Sequence, residues 1–161
     1  MLPIPDDGST MVQLRPACVA DIPNMEQIER ACFATDRLAG KHFRHLLTRG
    51  HAITLIALLA TRIQGYGLLL LRRNSRSARL YSLAIHPAER RAGLGRIVLS
   101  GLEEIAISHQ LTSIHLEVRV DNAPAIAFYH GLGYRSCAIL AGYYADHQDA
   151  YRMKKRLDDK H

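Results

Sequence analysis

Apolar residues recur along this chain at two spacings, and the switches between them mark out its elements. Residues 11–15 form a short β-prone run that Pro16 ends. Asp21 then stands as an N-cap, with Pro23 in the first helical turn. Ile22, Met25, Ile28 and Phe33 follow at helical spacing, which predicts a helix to about residue 33. Leu38, Phe43, Leu46 and Leu47 predict a second, shorter helix over 36–48. Two β-rich runs, 53–60 and 63–71, are joined by Thr61-Arg62 and read as a hairpin, with Gly65 and Gly67 loosening its second strand. A turn at 74–77 precedes a strand at 79–85, which His86-Pro87 stops. Over 94–109 the period is helical again, with Leu94, Val98, Leu102 and Ile105 on one stripe. Residues 113–120 alternate cleanly: Ile114, Leu116, Val118 and Val120 take one face, and Ser113, His115, Glu117 and Arg119 the other. Asn122 caps a further helix with Pro124 in its first turn, and Gly131 and Gly133 end it. Strands at 134–140 and 150–157 close the chain around a loop at 141–149.

The order β-α-α-β-β-β-α-β-α-β-β, with no repeat or linker, reads as one α/β domain with a mixed sheet over 11–157. A loose tail, 1–10, stands in front of it. A hydrophobic share of 48% excludes disorder, and apolar stretches such as 52–60 are far shorter than a membrane span, so no membrane partner is expected. The first residues carry Asp6 and Asp7 and no basic segment, unlike a signal peptide. Cys18, Cys32 and Cys137 are odd in number and widely spaced, as for reduced thiols in a cytoplasm, with Cys137 expected in the core. A net charge of +6 favours an anionic partner, either a phosphorylated cofactor or a nucleic acid. No basic stretch interleaved with aromatics supports the second, so nucleic acid is not the expected partner.

Candidate chemistry gathers at Arg90-Arg91-Ala92-Gly93-Leu94-Gly95-Arg96, between a strand-like run and a helix. Glycines let a backbone come close to a ligand, and a helix start offers free N–H groups and partial positive charge. Together with three arginines they make an anion cradle. A Walker loop would need Lys-Ser/Thr where Arg96-Ile97 stands, and a dinucleotide loop a third glycine where Val98 stands. His42, His45 and His51 lack the further ligands of a zinc site, so no metal is expected.

The spacing that does fit is Arg90-x-x-Gly93-x-Gly95, which resembles the pyrophosphate loop of the GNAT N-acetyltransferases. The string Leu116-Glu117-Val118-Arg119-x-x-Asn122-x-x-Ala125-Ile126-x-x-Tyr129-x-x-Leu132-Gly133-Tyr134 is similar to the RimI branch of that family, as are Tyr143-Tyr144, Asp149-Ala150 and Met153. The likeness runs from 11 to 157 and is strongest from Arg79 onward. Where the branch carries an aromatic-proline-tryptophan step beside the acceptor site, this chain has Phe33-Ala34-Thr35-Asp36.

The resemblance implies a single GNAT-type domain: a mixed, mostly antiparallel sheet, helices on both faces and a splayed central strand pair. It implies an enzyme that moves an acetyl group from acetyl-CoA to an amine, with a protein N-terminal α-amine as the expected acceptor. A small-molecule amine, a lysine side chain and an aminoacyl-tRNA stay open as acceptors, as does a non-catalytic acyl-CoA sensor. It also implies roles. Residues Arg90, Arg91, Ala92, Gly93, Leu94, Gly95 and Arg96 would hold the pyrophosphate, and Leu83, Ala84 and Ile85 the pantetheine arm. Asn122 would touch the cofactor while capping its helix. Glu117 would act as base, since the attacking amine needs its lone pair, and Tyr129 as acid toward the departing thiolate. Tyr143 and Tyr144 would form one wall of the acceptor entrance.

Overall fold

A computed structural model describes residues 4–6, 10–33 and 38–157, apart from the side chains of 4–6, 10 and 90–92. The strands are β1 (Ile4–Asp6), β2 (Thr10–Pro16), β3 (Ala52–Leu59), β4 (Arg62–Leu70), β5 (Ser77–Ile85), β6 (Ser113–Arg119), β7 (Arg135–Leu140) and β8 (Ala150–Arg156). The helices are α1 (Ile22–Cys32), α2 (Gly40–Arg49), α3 (Leu94–Ser108) and α4 (Ala123–Gly131). The strands form one sheet in the order β1-β2-β3-β4-β5-β6-β8-β7. Every neighbouring pair is antiparallel except β5 and β6. No helix among the described residues is long and apolar enough to cross a bilayer.

Strand alternation splits the core in two. Leu55 and Ala57 of β3 point to one face, where α3 and α4 pack, while Ile56 between them points to the other, under α1 and α2. On the α3 side two glycines allow close contact. A Cβ on Gly67 would lie 2.7 Å from Val98 Cγ1, and one on Gly101 2.7 Å from Leu14 Cδ1. Gly67 therefore seats α3 against the sheet rather than loosening β4.

Three elements differ from the pattern-based expectation. Ile4–Asp6, inside the segment expected as a tail, pairs with β2 at the sheet edge. The second helix starts at Gly40. Residues 36–37 of the expected span lie outside the described residues, and Leu38 is held in the connection, its N–H donating to Glu29 Oε2 at 2.8 Å. Cys137 is exposed and not in the core, because β7 is the outer strand of the sheet and the pairing with β8 shifts register there. Asp21 precedes α1 as expected, yet its carboxylate does not cap that helix. It takes a hydrogen bond from the Cys18 N–H at 2.8 Å and two from Arg15 at 2.8 and 2.9 Å.

The feature that matters for chemistry is the parting of β5 and β6. Their parallel pairing covers only Ser77↔Ser113, Ala78↔Ile114 and Arg79↔His115. Beyond it the strands diverge. Tyr81 is the extra residue of a bulge against β4, where Leu69 faces Leu80 but Leu68 faces Ser82. A bulge bends its strand and strengthens the local twist, which turns β5 away from β6.

Candidate active site

The open wedge leads into the candidate cradle. Past the bulge, Leu83, Ala84 and Ile85 pair with Gly67, Tyr66 and Gly65 of β4 on one edge, and the other edge faces the gap. Residues Pro87–Ala92 then make a short 3-10 helix, so Arg90, Arg91 and Ala92 stand in a helical turn rather than an open loop. The side chains of these three lie outside the described residues. Gly93 follows at φ +76°, a left-handed value natural to glycine, and a Cβ there would meet nothing within 4 Å. α3 begins at the next residue. The N–H groups of Leu94, Gly95 and Arg96 belong to its first turn, which has no intrahelical acceptors. Gly95 is backed by α4, since a Cβ on it would lie 3.2 Å from Phe128 Cζ. Arg96 is exposed beside them. Left-handed glycine, open space, helix start and arginine fit a bound pyrophosphate. Asn122 caps α4 as expected, its Oδ1 accepting the Ala125 N–H at 3.2 Å.

Glu117 points from β6 to the face opposite α3, where alternation puts it. Its side chain is only 4% exposed, beneath two arginines that are 36% and 41% exposed. Arg79 Nε donates to Oε1 at 2.7 Å and Arg152 Nε to Oε2 at 3.0 Å. Two of about four acceptor positions are thus filled by guanidinium, and the rest can take a water or an amine proton. His115, on the same face, has its Nδ1 3.1 Å from Ser77 Oγ. Burial pushes its pKa down, against the pull of Glu117, so the ring is neutral near pH 7.

Tyr129 packs edge-on to Phe128 at 5.2 Å and to Tyr134 at 5.9 Å between ring centres. Burial, with a smaller push from Tyr144, raises its phenol to about 12. The O–H is therefore intact at any physiological pH. Tyr143 and Tyr144 sit in the 141–149 loop with their rings edge-on at 5.0 Å. Arg79 Nη2 donates to the Tyr143 hydroxyl at 2.9 Å, and the Arg119 guanidinium lies 4.9 Å from the Tyr144 ring centre. Arg119 also pairs with Asp146 and Asp121, which fastens the loop to the end of β6. Arg79 is therefore the joint between Glu117 and the tyrosine loop. A cavity of about 280 Å³ opens beside it, lined by Leu38, His42, His45, Leu46, Leu70, Arg79 and Tyr81.

Two groups of the site do not follow from the sequence pattern. One is the arginine pair on Glu117. The other is Glu29, buried in α1, whose Oε1 accepts hydrogen bonds from the Tyr66 hydroxyl and from Ser82 Oγ, the latter at 3.1 Å. The signal for it was present: a carboxylate at position 29 falls on the apolar stripe of Ile22 and Met25. This network ties α1, β4, β5 and the start of the segment at Leu38 together at the edge of the wedge. Among the described residues no three His, Cys, Asp or Glu side chains come close enough to hold a metal ion.

A family model described as the Acetyltransferase (GNAT) family matches residues 22–134. The chain belongs to the GNAT acetyltransferases. Over 83 residues it is 37% identical to the N-alpha-acetyltransferase of Saccharolobus solfataricus, a stretch covering 51% of this chain and 50% of that one. Over 79 residues it is 38% identical to the [ribosomal protein bS18]-alanine N-acetyltransferase of Salmonella typhimurium, covering 47% of this chain and 53% of the relative. The matched stretch thus spans about half the length of these curated relatives. The crystal structure of the ribosomal-protein-S18-alanine N-acetyltransferase from Escherichia coli superposes with a TM-score of 0.83 at 25% identity, over 91% of this chain and 94% of that one.

Proposed function

We propose that this chain transfers the acetyl group of acetyl-CoA to the α-amine of a protein N-terminus. The observation that carries the reading is the wedge itself: β5 and β6 part after Arg79↔His115, with Glu117 on the β6 wall and the glycine turn at its mouth. One of the similar enzymes is an N-alpha-acetyltransferase by name and the other acetylates an alanine of a ribosomal protein, which supports an α-amine acceptor here.

In this reading the first turn of α3 from Gly93 to Arg96 holds the pyrophosphate, and the edge of Leu83, Ala84 and Ile85 takes the pantetheine arm like an added strand. Asn122, at the adjoining start of α4, borders the same arm. Acetyl-CoA supplies the thioester. The acceptor must attack as a neutral amine, and Glu117 takes its proton directly or through water, using acceptor positions the two arginines leave. Arg79 and Arg152 hold that carboxylate in place. The Tyr129 hydroxyl hydrogen-bonds the sulfur as negative charge gathers on it. Tyr143 and Tyr144 line the peptide's path. Free Cys18, Cys32 and Cys137 support a reducing, cytoplasmic setting.

The test is a mass-spectrometric acceptor screen with acetyl-CoA, offering free N-terminal peptides, N-blocked lysine peptides, small amines and aminoacyl-tRNA. Acetylation of the free N-termini is expected. Faster acetylation of any other class overturns the acceptor.

A further inference from the structure

We propose that the exposed face of α2 and the neighbouring turn at residues 71–76 form a docking surface for acidic residues that follow the acceptor's N-terminus. This rests on the α-amine reading above and extends it to the acceptor's sequence.

Charge is segregated along this chain. Residues 38–88 carry eight of its 21 Lys and Arg and none of its 15 Asp and Glu, so this third is +8 while the remainder is −2. The fold gathers most of these charges. α2 buries Phe43 and half-buries Leu46 and Leu47, which leaves Lys41, His42, Arg44, His45 and Arg49 exposed. Gly50 then turns the chain into His51, whose carbonyl accepts the Leu71 N–H at 2.8 Å. That bond sets exposed Arg72 and Arg73 beside the end of α2. Within this segment Arg79 has a carboxylate partner, and outside it so do Arg15, Arg119, Arg152 and Lys155. Among the described residues no ion pair engages Lys41, Arg44, Arg49, Arg72, Arg73 or Arg76. A cluster of like charges without counter-charges is complementary to an anionic partner.

The patch is continuous with the acceptor side of the site. His42 and His45 of α2 line the same cavity as Arg79, which is bonded to Glu117. A peptide whose α-amine reaches Glu117 leaves along α2. A ten-residue helix is about 15 Å long, and an extended peptide advances about 3.3 Å per residue. Acceptor positions from roughly 3 to 7 therefore pass over the basic face. Single-stranded RNA fits less well, because it needs several open aromatic faces for stacking, and the aromatic beside this cavity, Tyr81, already has the Arg79 guanidinium over one ring face at 5.2 Å.

The experiment is steady-state acetylation of three peptides with identical first two residues and Asp/Glu, Ser/Gln or Lys at positions 3–7. Wild type is compared with the double charge reversal Arg44→Glu, Arg72→Glu, whose folding is checked by thermal unfolding. Wild type is expected to favour the acidic peptide over the neutral one by about tenfold in kcat/KM, mostly through KM, with the gap shrinking at high salt. The double variant should erase or invert that order. Equal kcat/KM for acidic and neutral peptides, or an acidic preference that survives the reversal, overturns the docking surface and leaves the α-amine reading standing. A short RNA that competes with the peptides more strongly than the acidic peptide's own side chains do also overturns it. Failure to acetylate any of the three overturns the α-amine reading itself.

Discussion

Arg79 Nε lies 2.7 Å from Glu117 Oε1: Arg79 closes the last paired step of β5 and β6, opposite His115, and Glu117 stands two residues further along β6, where the strands have parted. The carboxylate is thus pinned at the apex of the wedge. We expect Glu117→Gln to lower kcat/KM most near neutral pH. Part of the loss should return as pH rises, because an α-amine with a pKa near 7.7–8.0 then sheds its proton unaided. Parallel pH–rate profiles for wild type and variant would remove Glu117 as the base.

Tyr129→Phe keeps the ring contacts with Phe128 and Tyr134 and deletes only the hydroxyl. A drop of about 10²–10⁴-fold in kcat is expected, with acetyl-CoA affinity little changed. Since the phenol is raised to about 12, it stays protonated below that pH, and wild-type kcat should show no basic limb from this group between pH 7 and 10. A variant as fast as wild type would return Tyr129 to a packing role.

The glycine turn separates two kinds of substitution. At Gly93 a side chain meets open space but must adopt φ +76°, at a cost of about 1–2 kcal/mol. At Gly95 a side chain presses on Phe128 of α4, 3.2 Å away at Cζ, and has to push the turn out of place. Gly95→Val should abolish measurable acetyl-CoA binding by calorimetry, and Gly93→Ala should weaken it while lowering Tm modestly. Undiminished affinity in Gly95→Val would dissociate the turn from the pyrophosphate.

Asp21 offers a stability test away from the chemistry. The Arg15 guanidinium, joined by the Cys18 N–H and opposed by burial, holds its carboxyl below the usual carboxylate range. A depressed folded pKa adds stability above the unfolded value of about 3.9, and that stability fades as pH falls through the lower folded value. Asp21→Asn should cost about 1–3 kcal/mol at pH 7 in denaturant titrations, and the gap to wild type should close toward pH 2. A gap that is the same at both ends would show that charge is not what Asp21 contributes.

What the sequence alone makes legible is local. Asn122 with Pro124 marked the start of α4, the alternation from Ser113 chose the face of Glu117, and the run to Ile85 followed by Gly93 marked strand, turn and helix. What could not be read depended on distant neighbours. Arg79 and Arg152 reach Glu117 only because β6 lies between β5 and β8, bringing together residues 38 and 35 positions apart. Cys137 looked like a core residue because β7 is apolar, and only the strand order shows that β7 is the rim. Asp21 looked like a helix cap because a capping residue and a salt-bridge partner have the same composition.

The close approach of Val98 to Gly67 makes the turn at Gly93 depend on a residue of β4 that takes no part in it. Val98 sits one turn into α3, about 6 Å along the axis from Leu94. A single methyl added at Gly67 would lie 2.7 Å from Val98 Cγ1 and 2.8 Å from Leu102 Cδ1, so α3 would have to give just above it, within about a turn of where the helix leaves Gly93. The height of the glycine turn above the sheet is thus gauged from underneath, by an atom that β4 does not have.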